Sequence, residues 1–359
     1  MPLRAKLNSK DVYAYEFNEN SWNELKATYK KQTLMMSCCD NKAIPKVSKL
    51  NNYFFAHARR GLCTSAPETF EHIFLKTLIA KIASSLGWNV MTEKVGETPE
   101  GDRWIADVFC TKEKTKIAFE IQWSSQTEIE FKRRQEKYIR SGIRTAWLYK
   151  LRHNQEYFPT NYETPAFGIQ YKKDSNEMHV PQFNQTIDDF VRGMLSGKLK
   201  WKPHDGEELT GQLITYVQQC WKCKRNTRVI LGIGFYDKDR TELELAGFHE
   251  DGIPEFILQQ ISNSALAKNG IGSIKNRYHK TMGEAYISNG CRHCEAIQGT
   301  SYYFDAWVEY AYTGSLGEPM MEFLFENSQE TFHIEGKWYY GRKSFDRAGN
   351  QFRRRNVIP

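Results

Sequence analysis

Apolar and polar positions change period several times along the chain, and the changes mark out its elements. From Phe70 onward, Phe70, Ile73, Phe74, Leu78 and Ile82 recur at helical spacing, and Gly87 closes the run. Ser65-Ala66-Pro67-Glu68 just before it has capping-box spacing with proline in the first turn, which predicts the helix start there. Three strand-like runs follow, WNVMTEK, RWIADVFC and TKIAFEIQW, the last two joined by a short charged turn. Ser125 to Glu128 reads as another capping box, opening a helix through Ile129, Phe131 and Tyr138 that stops at Gly142. RTAWLY is the next strand. The predicted order is helix, three strands, helix, strand.

On the N-terminal side, residues 1 to 60 read as short strands and turns, with DVYAYEF and NYFFAH as strands. On the other side come a strand (AFGIQY) and a short helix (TIDDFVRGML). The polar stretch from Lys198 to Gly211, with Pro203, reads as a linker. The remainder is rich in aromatics and glycine and reads mainly as β. Three domains are expected, over residues 1–62, 63–205 and 206–359.

With 40% hydrophobic residues the chain can build real cores, and the composition of a disordered protein is absent. No apolar run approaches the roughly 18 residues of a membrane span. No apolar segment follows the basic residues of MPLRAKLNSK, so no secretory signal is read and a cytoplasmic address is expected. The net charge of +7 is modest, but from Lys132 to Arg152 there are eight Lys or Arg and a single acid, Glu136. A solvated face is the bland explanation. So one-sided a cluster favours a polyanion, with Lys132, Arg133, Arg134, Lys137 and Arg140 as the phosphate contacts.

Within AFEIQW, Glu120 and Gln122 share one face of a strand that otherwise looks buried. A four-residue loop, Lys112 to Thr115, would pair Thr111 with Lys116 and set Asp107 opposite Glu120, on the same face. Two facing carboxylates repel unless a cation lies between them, and hard oxygen ligands suit Mg²⁺ or Mn²⁺. On the preceding helix, Glu68, His72 and Lys76 fall on one stripe at i, i+4, i+8. A buried ion-pair cluster is the competing reading of this set, and a capping role the competing reading of Glu68.

Together, FFAH at 54–57, ETFEH with Lys76, Glu93, WIADV at 104–108, FEIQWS at 119–124 and Arg134 with Tyr138 resemble the CoiA-like competence proteins. These are similar to the PD-(D/E)xK nuclease superfamily. The resemblance runs from Met35 to Leu199. It implies an α/β restriction-endonuclease-like core (αβββαβ, mixed sheet) and a metal-dependent phosphodiesterase acting on DNA. By position Asp107 and Glu120 would hold the catalytic ion, with His72 as the helix-borne polar residue near it and Glu93 as an acid preceding the motif. Gln122 stands where the superfamily usually has lysine. Glutamine is neutral and can only hydrogen-bond, so Lys76 is the candidate for the missing cation. A DNA-binding adaptor that keeps the fold without cutting is the alternative function.

Cys220-Trp-Lys-Cys223 and Cys291-Arg-His-Cys294 are two C-x-x-C knuckles, which fit a structural Zn²⁺ site of four thiolates. The long separation makes residues 224–290 an insertion in a zinc ribbon, and His293 is not expected to ligate. The resemblance also implies a zinc-binding segment ahead of FAH, of which Cys38, Cys39, His57 and Cys63 would be remnants. Adjacent cysteines ligate one ion poorly, so these read instead as buried small hydrophobes. The C-terminal aromatics read as β-core rather than as platforms for bases, and Arg353 to Arg355 as a phosphate contact or a solvated tail. The C-terminal domain has room for a protein partner, and homo-oligomers are compatible with everything above.

Overall fold

The computed structural model describes residues 2–63, 68–152, 160–172 and 174–341. Ser65 to Pro67 of the expected capping box, and Arg353 to Arg355, lie outside the described residues. The chain forms two compact units, residues 1–200 with 338–341, and residues 201–337.

The first unit opens with a small antiparallel sheet of β1 (Arg4–Leu7), β2 (Lys10–Tyr13) and β3 (Leu34–Met36), and a hairpin of β4 (Ala43–Val47) and β5 (Tyr53–His57). Between β2 and β3 lies a helix that the hydrophobic pattern does not announce, α1 (Glu19–Thr28). Asn18 caps it, accepting from the Ser21 N–H at 2.9 Å, and Trp22 and Leu25 are its buried residues. That Asn-x-x-Ser spacing was available in the sequence.

The main body is a seven-stranded sheet. Its strands are β6 (Asn89–Glu97), β7 (Arg103–Lys112), β8 (Thr115–Gln122), β9 (Arg144–Lys150), β10 (Ala166–Lys172), β11 (Glu177–Val180) and β12 (Gln185–Thr186). Their spatial order follows the chain order. Pairing is antiparallel except at β8–β9 and β9–β10, so the sheet is mixed as expected. The helices are α2 (Phe70–Ser85), α3 (Glu128–Arg140) and α4 (Ile187–Leu195).

Both capping boxes fall elsewhere than expected. Thr69 caps α2, accepting from the His72 N–H, and Thr127 caps α3, accepting from the Glu130 N–H. In each case a threonine nearer the apolar run takes the role, and Glu68 and Ser125 stand outside the helix.

Helix α2 is covered on several sides. Ile73, Leu75, Ile79 and Ile82 belong to a cluster that also takes in Leu3, Trp22 and Phe55 from the N-terminal segment and Val108, Phe119 and Ile121 from the sheet. Full burial of each such aliphatic stabilises by about 1.5–3 kcal/mol. Lys76, on the same helix, is buried with them. A helix enclosed on more than one side cannot keep a solvated stripe. Helix α3 lies against the other face, where Tyr138 packs with Trp104, Ala106 and Ala118, and Phe131 with Trp147.

The second unit has a four-stranded antiparallel sheet built from Glu208–Gln219, Asn226–Tyr236, Glu242–Gly247 and Glu318–Glu326. A three-stranded one is built from Ile274–His279, Glu284–Gly290 and Ile297–Gln298. It also carries three helices, Ile253–Gln260, Asn263–Lys268 and Phe304–Thr313, but strands predominate, so it is mainly β. Tyr303 and Trp307 are core residues, as expected, while Trp221 and Tyr302 are exposed.

Candidate active site

The β7–β8 hairpin has the predicted register, with Thr111 opposite Lys116 and Val108 opposite Phe119. Lys112 and Thr115 also pair, so the loop is two residues, Glu113 and Lys114, rather than four. Extending the register sets Asp107 opposite Glu120, but the ladder ends at Val108 and Phe119. On the other flank, Thr92 pairs with Val108 and Lys94 with Ala106, and the rung between them, Glu93 with Asp107, is missing. Glu93 there has φ +48°, left-handed for a residue with a side chain, which costs about 1–2 kcal/mol. Side-chain alternation slips at this level of β7. Trp104 and Ala106 face α3, whereas Val108 and Cys110 face α2. A local break of this kind re-aims a side chain.

Asp107 therefore does not share a face with Glu120 and Gln122, which corrects the expectation. Strict alternation fails here because pairing is lost on both sides of Asp107. The Asp107 carboxylate turns to α2 and into the ladder gap. One oxygen lies 3.2 Å from His72 Nε2, and the other accepts the Ile121 N–H at 2.9 Å. Burial works against the charge, yet His72, Lys76 and the Ile121 N–H hold this carboxyl well below the usual carboxylate range. Burial also opposes a charged His72, and Asp107 outweighs it, raising the imidazole's pKa.

Glu68, His72 and Asp107 each place one ligand atom so that all lie within 4.8 Å of one another. His72 Nε2 is out of contact with solvent, with the Asp107 carboxylate as its close neighbour. Two carboxylates and an imidazole converging in this way are the donor set of a divalent-ion site, so the residues present fit such an ion. Lys76 does not point at this group as a free cation. Its ammonium donates to Glu68 at 3.1 and 3.2 Å and also to Glu93. Burial lowers its pKa, and the two carboxylates more than reverse that.

Glu120 looks the other way. Its side chain is buried, and its oxygens accept from Arg134 and from the Tyr138 hydroxyl. Burial pushes it up to about 7 against the pull of Arg134. Gln122 Nε2 donates to the Ser124 carbonyl at 2.8 Å, and its Oε1 accepts from Arg134 at 3.4 Å. Gln122 thus bonds neither carboxylate. Arg134, expected among the phosphate contacts, instead points inward, with its guanidinium 4.8 Å from the Trp147 ring centroid. Sequence reasoning singles out Arg134 and Tyr138 but not as the partners of Glu120; their spacing of four on one helix face was the available signal.

The remaining basic residues of α3 stay on the surface, each with a partner. Lys132 pairs with Glu128 at 2.6 Å and Arg133 with Glu130 at 3.0 Å. Arg140 reaches Glu100 and Asp102 at 3.1 and 2.7 Å, and Lys137 donates to the Arg103 carbonyl at 2.8 Å.

Two cysteine groups also come together. Cys220, Cys223, Cys291 and Cys294 have their sulfurs within 4.8 Å of one another, Cys220–Cys294 and Cys223–Cys291 both at 3.7 Å. Each C-x-x-C turns between two paired strands and closes on a left-handed residue, Lys224 or Glu295, both at φ +59°. Burial works against a Cys220 thiolate, but the backbone N–H groups of Cys223 and Lys222 bring the pKa down to about 6. His293 Nε2 lies 3.1 Å from the Asn226 carbonyl oxygen and outside this group.

In the first unit, Cys38, Cys39, His57 and Cys63 form a second group. Cys38 Sγ is 3.8 Å from Cys39 Sγ, 3.7 Å from Cys63 Sγ and 3.6 Å from His57 Nε2. Cys39 Sγ is 3.2 Å from His57 Nε2. Cys38 is exposed, so the reading of these cysteines as buried small hydrophobes is wrong. A turn immediately after β3 directs the adjacent thiols to the same point, which spacing rules for C-x-x-C do not anticipate.

A mixed sheet broken at an acidic residue, with His72 on α2 and Glu68 just ahead of that helix meeting at the break, is compatible with a nuclease-like α/β domain. Residues 68–194 match the family described as competence protein CoiA, nuclease-like domain, and the resemblance read from the sequence is shown over that segment. No curated protein matches the chain. Among the described residues no helix is long and apolar enough to cross a membrane.

Proposed function

We propose that the protein is a Mg²⁺- or Mn²⁺-dependent nuclease that hydrolyses DNA phosphodiester bonds, in processing, recombination or defence. The observation that carries this is the convergence of Glu68, His72 and Asp107 at the break in the sheet, each with a ligand atom within 4.8 Å of the others. Glu68, His72 and Asp107 would hold the ion, and Glu120, bonded to Arg134 and Tyr138 on the other face, would support the site from α3 rather than ligate the ion. A divalent ion there supplies Lewis-acid stabilisation of the charge that builds on a phosphoryl oxygen.

The chain's own residues do the rest. Asp107 stays ionised at neutral pH because His72, Lys76 and the Ile121 N–H favour its charged form. Gln122, anchored by Ser124 and Arg134, presents a neutral amide where the superfamily has lysine. Lys132, Arg133, Lys137 and Arg140 offer the charge for DNA phosphates, since exchanging a surface ion pair worth about 0–1 kcal/mol for a phosphate is cheap. The two cysteine groups have the donor chemistry of structural Zn²⁺ sites, that of Cys220, Cys223, Cys291 and Cys294 as a zinc ribbon able to grip DNA or a protein partner.

One observation favours the adaptor reading, a DNA-binding protein without cleavage. Glu120 is already neutralised by Arg134 and Tyr138. Both readings predict DNA binding, so cleavage separates them. Supercoiled plasmid and single-stranded DNA are incubated with wild type and with Asp107→Ala and Glu120→Ala in Mg²⁺ or Mn²⁺. Metal-dependent cutting lost in both variants supports the enzyme, and DNA binding without cutting supports the adaptor.

A further inference from the structure

Lys76 and Glu93 lie behind the candidate centre. Lys76 is wholly buried, and its ammonium is divided between Glu68, one of the three residues of the candidate centre, and Glu93, which is not. Glu93 reaches it from the left-handed residue of β6, and its Oε1 also accepts the Leu3 N–H at 3.0 Å. A relay of hydrogen bonds thus runs from the N-terminal segment, through Glu93 and Lys76, to a candidate ligand. The matched family segment begins at residue 68, so Leu3 stands outside it.

Charge decides what this relay does. Glu68, Glu93 and Asp107 are three carboxylates facing one ammonium and one imidazole. A lysine paired with Glu68 alone would neutralise it and compete with any cation. By engaging the same ammonium, Glu93 leaves Glu68 with charge to offer. We propose that Glu93 and Lys76 are positioning residues that set the metal affinity of the centre in opposite directions, and that the Leu3 N–H holds Glu93 in place. This rests on the reading of Glu68, His72 and Asp107 as the holders of the ion.

The test is calorimetric titration of Mn²⁺ into the full chain, with melting curves confirming that each variant is folded. Glu93→Gln keeps an acceptor for Leu3 but removes one negative charge, and is expected to weaken Mn²⁺ binding by about tenfold. Lys76→Met removes the competing cation and is expected to tighten it by about tenfold. A role in packing alone would weaken binding in both, so shifts in the same direction, or no shift in either, would overturn the proposal. If Lys76→Met does not fold, Glu93→Asp takes its place. It keeps the charge and should bind within about twofold of wild type, and a loss equal to that of Glu93→Gln would overturn the proposal. Asp107→Ala is the control for the underlying reading. Undiminished Mn²⁺ binding there would remove the metal centre itself, whatever Glu93 and Lys76 do.

Discussion

Glu120 is a carboxylate with no access to solvent, and its ionisation is a contest between burial and the guanidinium of Arg134. Burial wins in part, placing the pKa at about 7 against an ordinary 4.5. A carboxyl with a higher pKa folded than unfolded holds its proton more tightly in the native state. Its contribution is therefore greatest below the unfolded value and is lost as pH rises through the folded one. The stability of the first unit should fall between about pH 4.5 and pH 7 on this account. Glu120→Gln should flatten that decline, seen as urea midpoints at pH 5 and pH 8 that lie closer together than in wild type; an unchanged gap would refute it. At this scale much was legible in the sequence. Two polar residues on an apolar strand marked Glu120 and Gln122, and hairpin register found Asp107. Its direction was not legible, because alternation holds only while the ladder does, and the break beside Glu93 has no signature in residue type.

Helices α2 and α3 show why the same kind of reading succeeds on one element and fails on another. On α3 the alternation of charged and apolar positions is that of a surface helix, and four of its five candidate phosphate contacts are on the surface. Their acidic partners are partly local (Glu128, Glu130) and partly distant (Glu100, Asp102), and only the former could be found from spacing. Replacing Lys132 and Arg133 together by alanine should reduce the slope of log affinity for DNA against log salt by about 2, near 0.9 for each phosphate no longer neutralised. Fluorescence anisotropy at several salt concentrations measures it, and an unchanged slope would remove α3 from the interface. Of the expected stripe Glu68, His72 and Lys76, only the last two lie on α2, and Lys76 is buried rather than solvated. The N-terminal segment covers that side of the helix, and no local pattern announces a cover that arrives from Leu3, Trp22 and Phe55.

Across the whole molecule, the cysteines tie together what is distant in sequence. The two C-x-x-C pairs were readable because each knuckle is a local turn with fixed spacing. The Cys38 group was not, because its members come from a turn, a strand and the segment beyond it. Purified protein is expected to carry two zinc ions per chain by elemental analysis, falling to one in Cys291→Ser and to one in Cys38→Ser, in keeping with the thiolate chemistry of such sites. A single ion in wild type that survives Cys38→Ser would show that the Cys38 group is not a zinc site. Cleavage of supercoiled plasmid by wild type and Asp107→Ala in Mn²⁺ tests most directly whether the nuclease-like segment cuts DNA. The expected result is metal-dependent cutting by wild type and a loss of about a thousandfold in the variant, the several kcal/mol of charge stabilisation that a bound divalent ion provides. Equal rates in the two proteins, or a wild type that binds the plasmid but leaves it intact at every Mn²⁺ and Mg²⁺ concentration, would contradict it.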